Sequence, residues 1–314
     1  MEKLVFCKEI LTLKSSSGGE ELPFLNLISM KRLLERSLLG LTLCTFLCAG
    51  CSGGNKKQVA ENPDVNEMKT DDGLKTLQVG DVNVTWIQDN AEDKLMPVSL
   101  FPDASQELIE SLSLQAGIPS SVSVFLVETD SLQILFDTGL GAPAGQLQER
   151  LKRLGIAPED IHYLYLTHFH GDHIGGMMQG DSVVFPNAQV YASKKEYDGW
   201  MKMPDDKKAQ VVKTMDAYKD RLHLFEFGET LPGNVIACDA VGHTPGHTAY
   251  QVGTLLVVGD LIHGAALQIP HPEICATYDM DKEAAIQSRK KYLQEVDENQ
   301  FVMAGMHLPA PGLK

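Results

Sequence analysis

Short apolar runs bounded by Gly, Pro, Asp and Asn recur along the chain from about residue 77. They predict buried strands over Leu77–Gln88, Ser121–Glu128, Leu132–Phe136, Ile161–Leu166, Ala188–Ala192, Leu222–Phe225 and Val235–Ala240. Between them, apolar residues at helical spacing predict helices over Ala104–Leu114, Ala144–Leu154, Lys194–Met201, Asp205–Tyr218 and Asp281–Val296. Ala249–Val252 and Leu255–Val258 flank Gly253-Thr254 and read as a hairpin, with Gly at the first central position of a type II′ turn. Pairing centred on that turn sets Val252 against Leu255, Ala249 against Val258, and His247 against Asp260. Phe301–Met306 reads as a late strand ending at His307. Hairpins interspersed with helices suit a layered α/β sandwich better than a purely parallel sheet.

Chemistry concentrates after the Ile161–Leu166 strand, where Thr167-His168-Phe169-His170-Gly171-Asp172-His173 packs three imidazoles and a carboxylate into six positions. These are ligands of zinc and its borderline neighbours. At a strand end, His168 and His170 point the same way because side chains repeat every two residues. Gly171 lets the chain turn, so that Asp172 and His173 reach a second point a few ångströms away. The hairpin register brings the imidazole of His247 to the carboxylate of Asp260. No GxSxG elbow argues for a serine nucleophile.

The HxHxDH pattern after a strand resembles the signature of the metallo-β-lactamase-fold hydrolases, and the resemblance runs from about Leu77 to His307. It implies an αββα sandwich, two mixed sheets flanked by helices, with two divalent metal ions, zinc foremost, at one edge. It implies that His168, His170 and His247 hold one metal, that Asp172, His173 and His307 hold the other, and that Asp260 bridges both. His243 is expected to stay outside this set, and His162, His223 and His271 are expected at the surface or beside strands. Asp137, in Phe136-Asp137-Thr138-Gly139, matches a family position that orients ligands. Two cations about 3.5–4 Å apart would lower the pKa of a shared water, whose hydroxide Asp172 would orient and deprotonate.

Within the family, Gly259-Asp260-Leu261-Ile262-His263 and Met306-His307-Leu308-Pro309 resemble the lactonase and organophosphate-hydrolase branch. That branch implies a small, neutral, largely apolar lactone, ester or phosphotriester as substrate. His263 follows Asp260 by three residues, where some lactonases carry a tyrosine that donates to the substrate oxygen; an imidazole N–H could take that role, or the ring could simply be hydrogen-bonded at a strand end. Leu100, Phe101, Met177, Met178 and Trp200 are expected to wall an apolar pocket. Alternatives on the same fold are a mononuclear iron persulfide dioxygenase-like enzyme, β-lactamase or thioesterase activity, and a lipoprotein that only binds. Asp260, where a thiolate ligand would otherwise stand, weakens the cysteine-ligand β-lactamase.

The formal charge of −15 with no basic stripe argues against nucleic acid as a partner. From Met30, a basic Lys31-Arg32, the apolar run Leu38–Leu47 and small residues before Cys51 make a secretory leader over 30–50, too short to span a membrane. Ala49-Gly50-Cys51 resembles a bacterial lipobox, which implies a lipidated Cys51 and a protein held in the cell envelope, periplasm or outer membrane, by that lipid alone. Residues 1–29 read as an upstream extension, 51–76 as a polar flexible tether, and 77–314 as the catalytic domain. Cys238 and Cys275 could pair or remain free thiols. Relatives in this branch continue well past the last histidine, whereas Leu308–Lys314 alone follows here, so a frayed edge of the second sheet is expected.

Overall fold

A computed structural model describes residues 73–129 and 131–314, so the expected leader, Cys51 and most of the tether lie outside the described residues. The strand expected over Leu77–Gln88 is two strands, β1 (Leu74–Val79) and β2 (Val82–Gln88), paired antiparallel. Gly80, at φ 56°, makes the reversal that an uninterrupted apolar reading of this segment missed. β1 also begins inside the stretch expected as tether, because Leu74 pairs with Ile87.

Five further strands complete the first sheet: β3 (Ser123–Glu128), β4 (Gln133–Phe136), β5 (Tyr163–Tyr165), β6 (Gln189–Ser193) and β7 (Leu222–Phe225). Its order is sequential, antiparallel through β4 and parallel from β4 to β7. The second sheet is β8 (Thr230–Leu231), β9 (Val235–Asp239), β10 (Thr248–Val252), β11 (Leu255–Gly259) and β12 (Val302–Gly305). It is also sequential, with β12 joining β11 in parallel. Both sheets are therefore mixed.

Period-two alternation sends each strand's side chains into two different cores. Trp86, Phe125, Phe136 and Tyr165 of the first sheet meet Tyr250, Leu255 and Val257 of the second between the sheets. The opposite faces of the first-sheet strands, Leu126, Leu135 and Leu164, pack on α2 (Leu147–Arg153) and α5 (Asp205–Ala217), which follow a short α1 (Gln106–Ser111) and other helices given below. Leu256, Val258 and Met303 pack outward on Tyr292 and Val296 of a long helix over Lys282–Asn299. The layers thus run helix, sheet, sheet, helix, as the resemblance implied. The expected frayed edge is not seen: Gly312 and Lys314 return to exchange backbone hydrogen bonds with Gly305 and Met303, covering β12.

The C-terminal ends of β5, β11 and β12 and the start of β10 share one edge, where Thr248 N–H donates to the Thr167 carbonyl at 2.9 Å and joins the two sheets. Open α/β sheets place their sites at such strand ends.

Candidate metal centre

The first half of the centre is local. His170 is the N-cap of the one-turn helix α3 (Gly171–Ile174), and its extended backbone (φ −66°, ψ 156°) continues the direction of β5. His168 Nε2 and His170 Nδ1 consequently converge to 2.9 Å. Asp172 and His173 rise from the first turn of α3 towards a second point, with His173 Nε2 3.7 Å from Asp172 Oδ1. Asp137 stands behind them in a left-handed backbone (φ 61°) and is fully buried. It accepts from Thr167 N–H (2.8 Å) and Thr167 Oγ1 (2.7 Å), and its Oδ2 meets His173 Nδ1 at 2.7 Å. That contact leaves His173 Nε2 facing the centre, the orienting arrangement expected of Asp137.

The second half comes from three separate elements, and one expected ligand changes. The hairpin register is the expected one, with Val252 opposite Leu255 and Tyr250 opposite Val257. His247 does meet Asp260, but through the backbone: its Nε2 accepts from Asp260 N–H at 2.9 Å and its Nδ1 pairs with the Ala240 carbonyl at 2.9 Å. Both ring nitrogens are occupied, so His247 is a buttress beneath Asp260 and not a metal-facing group. His243 takes the position expected of His247, its Nε2 2.9 Å from His170 Nδ1 and 3.4 Å from Asp260 Oδ2. Gly242 (φ 128°) makes this possible, since a Cβ there would strike the backbone of Ala285 at 2.1 Å.

Asp260 sits at the focus. Its Oδ2 lies 3.1 Å from His307 Nε2, 3.3 Å from His263 Nε2 and 3.8 Å from His168 Nε2, while Oδ1 lies 3.2 Å from His173 Nε2. His307, after β12, is oriented by its Nδ1 on the Ser121 carbonyl at 2.8 Å. Burial pushes His170 and His243 down to about 4, His247 to about 3, and His168 well below the ordinary imidazole value. Burial also opposes charge on His173, yet Asp260, Asp137 and Asp172 outweigh it and hold that imidazole well above its usual value. Asp260 likewise stays ionised against its burial because His173 and His307 face it.

The donor set fits divalent cations. Asp260 Oδ1 and His173 Nε2 are buried with no hydrogen-bond partner, although buried polar atoms are nearly always satisfied. His168, His170, His243 and Asp260 form one group of ligand atoms, all within 4.8 Å, and Asp172, His173 and His307 form another. Imidazoles and carboxylates at this spacing suit zinc or a borderline neighbour.

A cavity of about 390 Å³ opens over the cluster, lined by Met96, Pro97, Leu100 and Tyr278 with Lys94 among them. Of the five residues expected to wall it, Leu100 alone does so. Phe101 packs in a satellite core beside the cavity, and Met177, Met178 and Trp200 belong to the core beneath the first sheet. The segment Lys94–Met96, a short strand paired with Ile118–Ser120, supplies the missing wall and carried no clear strand pattern. His162 is exposed just before β5, His223 is exposed within β7, and His271 lies against Glu273, all apart from the centre. Cys238 and Cys275 are free thiols.

Sequence reasoning missed Glu196, on α4 (Lys194–Met201), where the Ser193 cap starts the helix. Its buried carboxylate accepts from Phe169 N–H (3.0 Å), Trp200 Nε1 (2.7 Å), Thr244 Oγ1 (2.8 Å) and Gly246 N–H (2.7 Å). It thereby ties the His168–His170 loop to the loop bearing His243. Gly246 is required there, since a Cβ would meet Glu196 N at 2.0 Å.

The chain is similar to known proteins in sequence and in fold. The chain is 29% identical to an N-acyl homoserine lactonase of Bacillus sp over 154 residues, 41% of this chain and 57% of that one. It is 27% identical to N-acyl homoserine lactonase AiiB of Agrobacterium fabrum over 168 residues, 46% of this chain and 56% of that one. The chain thus spans a little over half the length of these curated relatives. Among solved structures, hydrolase AbOPH of the beta lactamase superfamily is similar at 30% identity, with a TM-score of 0.68 and coverage of 78% of this chain and 93% of that one. AidC, a dizinc quorum-quenching lactonase in complex with a product, is similar at 28% identity, with a TM-score of 0.71 and coverage of 77% and 94%. The profile of the metallo-beta-lactamase superfamily matches residues 117–300, more than half of the chain. The chain belongs to the metallo-beta-lactamase superfamily.

Proposed function

We propose that this chain is a two-metal hydrolase of small neutral or apolar lactones, with aryl esters and phosphotriesters as secondary substrates. The observation that carries this is the convergence of imidazoles from both halves on Asp260 Oδ2, at 3.1–3.8 Å, beneath a cavity whose outer wall is Met96, Pro97, Leu100 and Tyr278. His168, His170 and His243 would hold one divalent ion, Asp172, His173 and His307 the other, and Asp260 both. The pair would supply an activated water and polarise the scissile carbonyl or phosphoryl group. The lactonases among the relatives favour a lactone.

The protein's own groups have distinct tasks. Asp172 keeps 29% of its side chain exposed, so its carboxylate can accept a proton at the cavity floor. His263 lines the cavity, yet both its ring nitrogens lack a hydrogen-bond partner, and its Nε2 nears Asp260 without bonding to it. Metal-binding histidines generally have their second nitrogen anchored, as His173, His243 and His307 do. His263 has no such anchor. Its position is fixed instead through the backbone, where His263 N–H and Gly264 N–H donate to Gln268 Oε1. This leaves the ring free to donate N–H to the substrate oxygen as negative charge develops there.

The test is metal analysis of the purified protein, with turnover of a panel of lactones, aryl esters, phosphotriesters, thioesters and β-lactams. Two zinc ions with lactone or ester turnover are expected. A single iron with persulfide oxidation, or β-lactam turnover without lactone or ester activity, would overturn the reading. Export and lipid anchoring through Cys51 belong to the same proposal and rest on the leader pattern alone. Cys51→Ser should abolish lipid labelling, and unchanged membrane extraction would refute that part.

A further inference from the structure

A buried polar system behind the second half of the centre takes no part in the chemistry above. Asp279, whose side chain is inaccessible, meets His243 Nδ1 with Oδ1 at 3.1 Å and Arg289 Nη2 with Oδ2 at 3.0 Å. Arg289 lies on the long helix Lys282–Asn299 and is itself buried. Its Nε donates to the Leu261 carbonyl at 2.6 Å, and its Nη1 to the carbonyls of Pro272 (2.8 Å) and Ile274 (3.1 Å). One guanidinium thus holds the residue next to Asp260, the segment leading to Tyr278 on the cavity wall, and the carboxylate behind His243.

We propose that Asp279 and Arg289 are positioning residues: Asp279 holds His243 as the Nδ1–H tautomer with Nε2 presented to the first metal, and Arg289 locks that carboxylate to the substrate-wall loop. This rests on the reading above that His243 is a ligand. A neutral imidazole has one donor and one acceptor nitrogen, so a carboxylate accepting at Nδ1 fixes the lone pair on Nε2. Asp279 would otherwise be free to rotate away, but Arg289 occupies its second oxygen. The guanidinium fork suits this task, since its planar donors reach the carboxylate and three backbone carbonyls at once. The pairing parallels Asp137 behind His173, but with a difference: Asp137 is held by Thr167 alone, whereas Asp279 is held by a cation that also ties down the cavity wall.

The proposal is tested by measuring zinc stoichiometry and affinity, by chelator competition, in wild type, Asp279→Ala, Asp279→Asn, Arg289→Met and His243→Ala. Asp279→Ala should weaken one of the two zinc ions by about 10–100-fold while the other is retained. Asp279→Asn keeps an acceptor oxygen for His243 and should recover most of that loss, which a role in packing alone would not require. Arg289→Met should weaken the same zinc ion and also raise KM, because the loop carrying Tyr278 loses its anchor. Unchanged affinity for both ions in Asp279→Ala, with one ion lost in His243→Ala, overturns this inference and leaves the metal assignment standing. Both ions retained in His243→Ala overturns the ligand assignment itself. Nitrogen-15 NMR of the histidine rings in the zinc-loaded wild-type protein needs no variant. A proton on His243 Nδ1 is expected, and a proton on Nε2 overturns the proposal.

Discussion

The two halves of the centre are built by different means. His168, His170, Asp172 and His173 come from one strand end and the single turn that follows, and backbone geometry over seven residues places them. His243, Asp260, His263 and His307 come from three strand ends and meet only because the second sheet folds as it does. In the first half, spacing in sequence becomes position in space almost directly. In the second, it defines which residues are neighbours but not which of their atoms face the metals. His247 shows the difference: it lies opposite Asp260 as the register requires, yet it binds the backbone N–H and not the carboxylate's side of the centre.

The strongest way to break this comparison is to remove its common point. Asp260→Ala should cost both metals and reduce turnover to background, since both halves converge on that carboxylate. Full two-metal occupancy in this variant would overturn Asp260 as the ligand shared by both sites.

Next in size are variants that empty one of the two proposed metal sites. His243→Ala should cost the first metal and His307→Ala selectively weaken the second, each read by zinc content after dialysis. His247→Ala makes the sharpest contrast with His243→Ala. It should keep both metals and instead destabilise the fold by about 1–3 kcal/mol, because the buried Asp260 N–H and Ala240 carbonyl lose a partner. Loss of a metal in His247→Ala with retention in His243→Ala would reverse the assignment.

His263→Ala should lower kcat by about 10²-fold with both metals retained, as loss of one oxyanion donor does. An unchanged kcat would remove His263 from the chemistry.

The smallest effect concerns the joint between the halves. Glu196→Ala leaves the buried donors of Phe169, Gly246 and Trp200 without an acceptor. A loss of about 1–3 kcal/mol is expected in chemical denaturation, with zinc content unchanged at saturating metal. No loss of stability would mean that the two loops hold their geometry without the carboxylate.

The layered architecture was legible because both sheets are buried on two faces, so their strands read as apolar runs with turn residues between them. The long helices were legible for the same reason, and α4 (Lys194–Met201) has the expected bounds. Short elements were not. Lys94–Met96 and Ile118–Ser120 form a strand pair at the cavity wall, but three residues are too few to show a period. Met177 and Trp200 were expected at the cavity because their segments should overhang the centre. They turn instead into the core under the first sheet, where a large apolar side chain loses more water-exposed area.

By itself, the sequence determined the strand-end cluster of His168, His170, Asp172 and His173 and the register that sets residue 247 against residue 260. Each of these depends on backbone periods and turn geometry within a few residues. Tertiary structure decided that His243 and not His247 faces the other ligand-type side chains, that Glu196 joins the two loops, and that Asp279 and Arg289 stand behind the second half. Those choices depend on which buried donor finds an acceptor once the layers close. The Asp260 backbone N–H takes the His247 imidazole as its acceptor, and the His243 imidazole is left facing His170 and the Asp260 carboxylate.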